Sequence, residues 1–148
     1  MTAFFTSFWN MREQVLSLLL GHIELTFLSV GIAVLIGVPA GILITRSPGF
    51  SKPVLGVANV VQAIPSLAML GFLIPYLGIG KAAAVFCVVI YSLLPIIKNT
   101  CIGLNSIDSD TLEAAEGIGM TKRQILGKVR FPLALPVIMG GIRIAAVN

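Results

Sequence analysis

"IELTFLSVGIAVLIGVPAGILIT", Ile23 to Thr45, decides the class of fold. Glu24 is its only charged residue. The rest is apolar for long enough to cross a hydrocarbon core of roughly 30 Å, at about 1.5 Å per helical residue. Thr26, Ser29, Ala33, Gly37 and Gly41 recur at spacings of three and four and so share one helical face. Small residues on one face let a second helix approach closely in lipid. Helix packing is the expectation for that face.

The blocks on either side have the same character. The chain has 148 residues, of which 57% are hydrophobic and only 11% charged, against about 25% charged in soluble domains. Its mean hydropathy is +1.01. A soluble fold cannot hide so much apolar surface behind so few polar groups. The apolar residues form continuous blocks rather than alternating strands, which selects helices over a barrel. One transmembrane domain over residues 1–148 is expected, crossing a cell membrane several times.

"PVLGVANVVQAIPSLAMLGFLIPYL" (53–77) is a second span, interrupted by Pro65 and Pro75. Proline removes an amide donor and crowds the preceding turn, so a kink or unwinding is expected near Ile64-Pro65-Ser66. Read as one helix, Asn59, Gln62 and Ser66 share a face. Polar side chains and irregular backbone at membrane depth survive only inside protein or along a watery path. Asn59, Gln62, Pro65 and Ser66 therefore line a translocation path or form a polar helix contact. "AAAVFCVVIYSLLPII" (82–97) is a third, short span. The start of a further span lies at 131–148, apolar except for Arg143. The pattern breaks off at Asn148 without a cap, a basic flank or a loop, which reads as a chain truncated at its C-terminus.

The charges orient these blocks. Arg46 and Lys52 follow the first; Lys98, Lys122, Arg123, Lys128 and Arg130 follow the third; the opposite side holds Arg12 and Lys81. The positive-inside rule places the first two groups in the cytoplasm and the N-terminus outside. The net charge of +4 thus orients the chain and implies no nucleic acid. Cys87, Cys101 and the lone His22 form no metal-binding or disulfide pattern. "MTAFFTSFWNMREQ" lacks the basic, apolar and small-residue succession of a cleaved leader. "PYLGIGKA" (75–82) fails as a phosphate loop, with Pro75 in place of glycine and Ala82 in place of Ser or Thr. Gly78 and Gly80 are turn residues, and the chain is no enzyme by itself.

That leaves one charged stretch between apolar blocks, 109–130, on the cytoplasmic side. "DSDTLEAAEGIGM" reads as a short helix capped by Asp108, Ser109 or Asp110 and ended by Gly117 and Gly119. "TKRQILGKVR" reads as a second, capped by Thr121 and stopped by Pro132. Ala114 and Ala115 leave the first helix bare, open to close approach by another surface.

Glu113-Ala114-Ala115, three residues, Gly119, nine residues, Val129, one residue, Phe131-Pro132 resembles the EAA loop of bacterial ABC importer permeases. That family usually has Ile at the position of Val129 and Leu at that of Phe131. "HIELTFLSVGIAVLIGVPAGILITR", "VQAIPSLAMLGFLIPYLGIG" and "YSLLPIIKNTCIGL" look like permease subunits of osmoprotectant importers. The resemblance covers about residues 22 to 146. It implies an all-α, polytopic transmembrane bundle of the ABC importer permease, MetI-like type. It implies a solute among glycine betaine, choline and carnitine. It also implies three protein partners: an ABC ATPase subunit that binds the ATP, a second permease subunit of the same or a related chain, and an extracellular substrate-binding protein. The bilayer surrounds the complex, and the chain itself holds no cofactor or metal. In this family the loop docks on the ATPase, which implies that Glu113, Ala114, Ala115 and Gly119 carry the coupling contact. A permease for amino acids or another small solute is the alternative. An ion-coupled carrier built on Glu24 and Arg143 is a further one.

Overall fold

The computed structural model describes residue 9, residues 11–46 and residues 48–147. The leader-peptide reading of Met1 to Gln14 falls largely outside these residues, as does Asn148. The described chain is helical: α1 (Arg12–Thr45), α2 (Pro48–Ala63), α3 (Ser66–Leu77), α4 (Lys81–Asn105), α5 (Ser109–Gly117), α6 (Lys122–Ile125), a π-helical turn (Leu126–Arg130) and α7 (Phe131–Val147). By length and composition α1, α4 and the continuous run Lys122–Val147 can each cross a membrane. The α2–α3 pair passes the same test as one span bent by 94°.

α1 starts well before Ile23. "REQVLSLLLGH" is rich in residues that lose little on entering a helix, so the apolar span carries on from a helical lead-in. At 34 residues α1 is roughly 50 Å long, more than a bilayer core. α4 likewise runs past Ile97 to Asn105. Its polar end supplies its own hydrogen bonds: Asn99 Nδ2 donates to Pro95 O (2.8 Å) and Thr100 Oγ1 to Ile96 O (2.7 Å).

α4 is the centre of the bundle, with α1 and α7 packed along it. Of the small-residue face of α1, Ser29, Ala33, Gly37 and Gly41 are buried, whereas Thr26, a turn or more before them, is only half-buried and donates its hydroxyl to His22 O of its own helix. A methyl on Gly41 would lie 2.6 Å from Thr100 Cβ and 3.2 Å from Ile97 O. α7 packs beside α1 and buries Ala134, Ile138, Gly141 and Ala145, another stripe at helical spacing. A methyl on Gly141 would meet Pro95 O at 2.8 Å and Asn99 Cβ at 2.7 Å. Ala33, Ile96 and Ala145 form one buried cluster; Leu104, Ala134 and Ile138 form the other. Large apolar side chains point outward instead, among them Phe27, Leu35 and Leu67. In water that would be inside-out. In lipid, where outward apolar surface costs nothing, helices associate through close backbone packing.

Candidate functional site: a capped hairpin and a broken span

The charged stretch folds as two short helices joined by a fixed turn. Asp108, of the three possible caps, takes an extended conformation (ψ 137°) and its carboxylate accepts from Thr111 N at 3.4 Å. α5 ends with two crossed bonds, Met120 N to Ala115 O (3.2 Å) and Gly119 N to Glu116 O (2.9 Å). This is the Schellman closure, which requires a left-handed residue just past the helix. Gly119 supplies it at φ +82°. Gly117 is the last residue of α5 itself, so only Gly119 of the two expected stop glycines takes the special geometry. Thr121 then opens α6 with a capping box: Gln124 Oε1 accepts from Thr121 N (2.8 Å), and Thr121 Oγ1 accepts from Gln124 N (3.4 Å).

Pro132 does not stop this second helix. The backbone widens into a π turn over Leu126–Arg130, Phe131 N bonds to Leu126 O, and α7 follows without a gap. A proline clashes with the carbonyl one turn back and lacks a donor; a widened turn placed just before it accommodates both defects. The second arm of the hairpin is therefore one piece with the membrane helix α7.

Glu113, Ala114 and Gly119 are exposed on this hairpin, whereas Ala115 is buried, so the bare patch expected from the alanine pair reduces to Ala114. Ile118, between the two glycines, is 79% exposed. Sequence reasoning passed over it, although an apolar residue in a polar turn was the available signal. Glu113, Ala114, Ile118 and Gly119 leave an exposed, partly apolar surface at the tip.

The second candidate region is the break at Ile64-Pro65. Ile64 N closes back on Val61 O (3.2 Å), α2 ends at Ala63, and α3 starts from Pro65 at ψ 134°. Because the direction changes by 94°, Ser66 does not continue the face of Asn59 and Gln62. All four expected path residues, Asn59, Gln62, Pro65 and Ser66, are exposed in the single chain. α4 reaches the break twice: Tyr91 Oη donates to Ile64 O, and Cys87 Sγ lies 3.9 Å from Ser66 O in the first turn of α3. Irregular backbone at membrane depth persists where such partners exist. Of the aromatics in the spans, Tyr91 serves the break, while Phe72 and Tyr76 pair on α3 with ring centroids 5.7 Å apart. Gly78 and Gly80 turn the chain from α3 into α4.

Glu24 and Arg143, the residues of the ion-coupled alternative, lie apart. Glu24 pairs with Lys81 at 3.4 Å, linking α1 to the start of α4. Both side chains are largely exposed, which marks a surface ion pair rather than a buried coupling site. Arg143 is exposed on α7. Among the described residues no three His, Cys, Asp or Glu side chains gather as metal ligands.

Residues 33–148 match the family described as "Binding-protein-dependent transport system inner membrane component". The chain is 41% identical over 147 residues to the carnitine transport permease protein OpuCB of Listeria monocytogenes, covering 99% of this chain and 67% of that one. It is 48% identical to the osmoprotectant import permease protein OsmW of Salmonella typhimurium, over 88% of this chain and 63% of the relative. With the choline transport system permease protein OpuBB of Bacillus subtilis it shares 41% identity over 85% of this chain and 58% of the other. The chain thus spans about six-tenths of the length of such relatives. Among solved structures, a chain of the MetNI methionine ABC transporter in inward-facing form superposes with a TM-score of 0.74, at 26% identity over 85% of this chain and 65% of that one.

Proposed function

This chain belongs to the family of binding-protein-dependent transport system inner membrane components, and from that premise we propose that it forms the membrane-spanning part of an ABC importer for quaternary ammonium osmoprotectants. Glycine betaine, choline and carnitine are the solutes in view, suggested by relatives named for osmoprotectant, choline and carnitine transport. A multi-pass place in the cell membrane follows from the family and from the apolar helices. ATP is bound and hydrolysed by a partner subunit, and an external binding protein delivers the solute to a pair of permease chains.

The observation that carries the mechanism is the unbroken run from Thr121 through the π turn into α7. The hairpin tip, with Glu113, Ala114 and Gly119 on its surface and Ala115 inside it, meets the ATPase. When ATP binding moves that subunit, α5 and α6 are pushed together. Because α6 and α7 are one helix, the push arrives in the membrane beside α4. The break at Ile64-Pro65, held to α4 by one hydroxyl and one thiol, is where the path-facing backbone can change direction. Asn59, Gln62 and Ser66 then offer polar groups to a passing solute. This is alternating access with the lever on one side of α4 and the joint on the other.

Co-purification with candidate ATPase subunits tests the reading, wild type beside Glu113→Arg. Capture by the wild type and its loss in the variant is the expected result; a wild type that captures no ATPase overturns it. Gly119→Val probes the same tip without altering charge. At φ +82° a β-branched residue is strained by about 1–3 kcal/mol, so uptake should fall together with ATPase coupling. Competing uptake of radiolabelled betaine, choline, carnitine and amino acids decides the solute.

A further inference from the structure

A cavity of about 570 Å³ lies at the hairpin end of the bundle, where the last turns of α1 and α4 meet α5 and α6. Its wall is basic: Arg46, Lys122, Arg123 and Arg130 line it, with Glu116 as the single acid. None of these four cations forms an ion pair among the described residues. Its floor is apolar, with Leu104 of α4 at the bottom. Leu104 is buried and belongs to the core cluster with Ala134 and Ile138.

The heights of these groups matter. Arg46 ends the apolar run of α1, and Arg130 directly precedes the apolar run of α7. Both stand where helices of spanning length leave the hydrocarbon for the polar boundary. A ligand for this cavity must be anionic, to answer four cations against one carboxylate, and must have an apolar part to cover the floor. It must also be present at the membrane surface. An anionic phospholipid meets all three demands, and basic cavities between membrane helices are suited to such headgroups.

We propose that this cavity binds the phosphate of an anionic phospholipid, held by Arg46, Lys122, Arg123 and Arg130, with an acyl chain lying over Leu104. Guanidinium groups grip phosphate oxygens in pairs, and three of the four cations here are arginines. Lys122, Arg123 and Arg130 belong to the arm that runs into α7, while Arg46 caps the C-terminal end of α1. One headgroup therefore ties the hairpin arm to α1 through the lipid. The inference rests on the membrane placement of the chain and is independent of the solute and of ATPase docking.

Native mass spectrometry of the purified protein in detergent tests it, with phosphatidylglycerol, phosphatidylcholine and inorganic phosphate as probes. The wild type should retain phosphatidylglycerol in preference to phosphatidylcholine. Arg46→Gln/Arg130→Gln should weaken that retention by about tenfold or more. Lys98→Gln, an exposed cation on α4 outside the cavity lining, should leave it unchanged. Size-exclusion profiles and helical circular dichroism show whether the double variant folds; if it does not, Lys122→Gln/Arg123→Gln carries the same comparison. Equal retention of the two lipids, or retention indifferent to both double variants, overturns the site. Displacement of phosphatidylglycerol by equimolar inorganic phosphate assigns the cavity to a soluble anion and overturns the lipid.

Discussion

α4 has two seams of opposite construction. Against α1 and α7 it is joined mainly by missing side chains: Gly41 lies over Thr100, and Gly141 over Pro95 O, with no room for a methyl on either. One buried thiol and one buried hydroxyl, Cys101 to Gly41 O and Ser92 to Ala145 O, add to the fit. Against the α2–α3 break it is joined by reaching side chains, Tyr91 to Ile64 O and Cys87 toward Ser66 O. The first kind of contact has one fit, because backbone against backbone cannot repack. The second has a hydroxyl and a thiol that can let go of one carbonyl and take another. A transporter needs both, a body that keeps its shape and a joint that does not.

The largest effect should come from forcing the first seam. Gly141→Val would put its Cβ 2.8 Å from a main-chain oxygen that has nowhere to go. Gly140→Val, one residue away with open space around it, is the matched control. Overpacking of this kind costs about 1–3 kcal/mol. We expect Gly141→Val to lower the unfolding midpoint in detergent sharply and Gly140→Val to leave it near wild type. Equal behaviour would erase the distinction between the seams on the α7 side.

The two seams were unequally legible in the sequence. The glycine seam was half visible: spacings of three and four put Ser29, Ala33, Gly37 and Gly41 on one face, and lipid leaves small residues little else to do. Its α7 half went unread, because Gly141 and Ala145 sit among equally apolar neighbours and only the partner helix picks them out. At the break, Pro65 announced a bend but not its 94°, which depends on what α4 supplies. Tyr91 looked like a scattered aromatic because its acceptor lies 27 positions away. Local rules served the hairpin well: a cap at Asp108, a left-handed Gly119 and a box at Thr121 are all short-range chemistry. They failed at Pro132, where the ordinary stop rule met a π turn that no short pattern encodes.

An intermediate effect is expected from the second seam. Tyr91→Phe keeps the ring and removes only the hydroxyl bonded to Ile64 O. One lost hydrogen bond costs about 0.5–1.5 kcal/mol, and cross-helix bonds in membranes average near the low end. Global stability should fall slightly. The clearer readout is local: amide exchange should accelerate at Ile64 and Ser66 to Met69, while α1 and α7 stay protected. Acceleration spread through α4 would mean that the break is as rigidly coupled to the body as the glycine seam is, and the contrast would fail.

The smallest effect should come from a polar atom inside the first seam. Ser29 is fully buried, and its Oγ finds no partner among the described residues. Ser92, also buried, donates to Ala145 O at 3.4 Å. The two serines are alike in size and burial and differ in whether the hydroxyl is used. Burying an unpaired hydroxyl costs about 1–3 kcal/mol, whereas removing a paired one strands its acceptor. Alanine fits wherever serine fits, so Ser29→Ala should leave the unfolding midpoint unchanged or slightly raised, and Ser92→Ala should lower it. If Ser29→Ala proves the more damaging of the two, the hydroxyl has a partner in the assembled transporter. The α1 seam, where Cys101 Sγ already reaches Gly41 O at 3.4 Å, would then carry a second polar bond, closer in kind to the break than its glycines suggest.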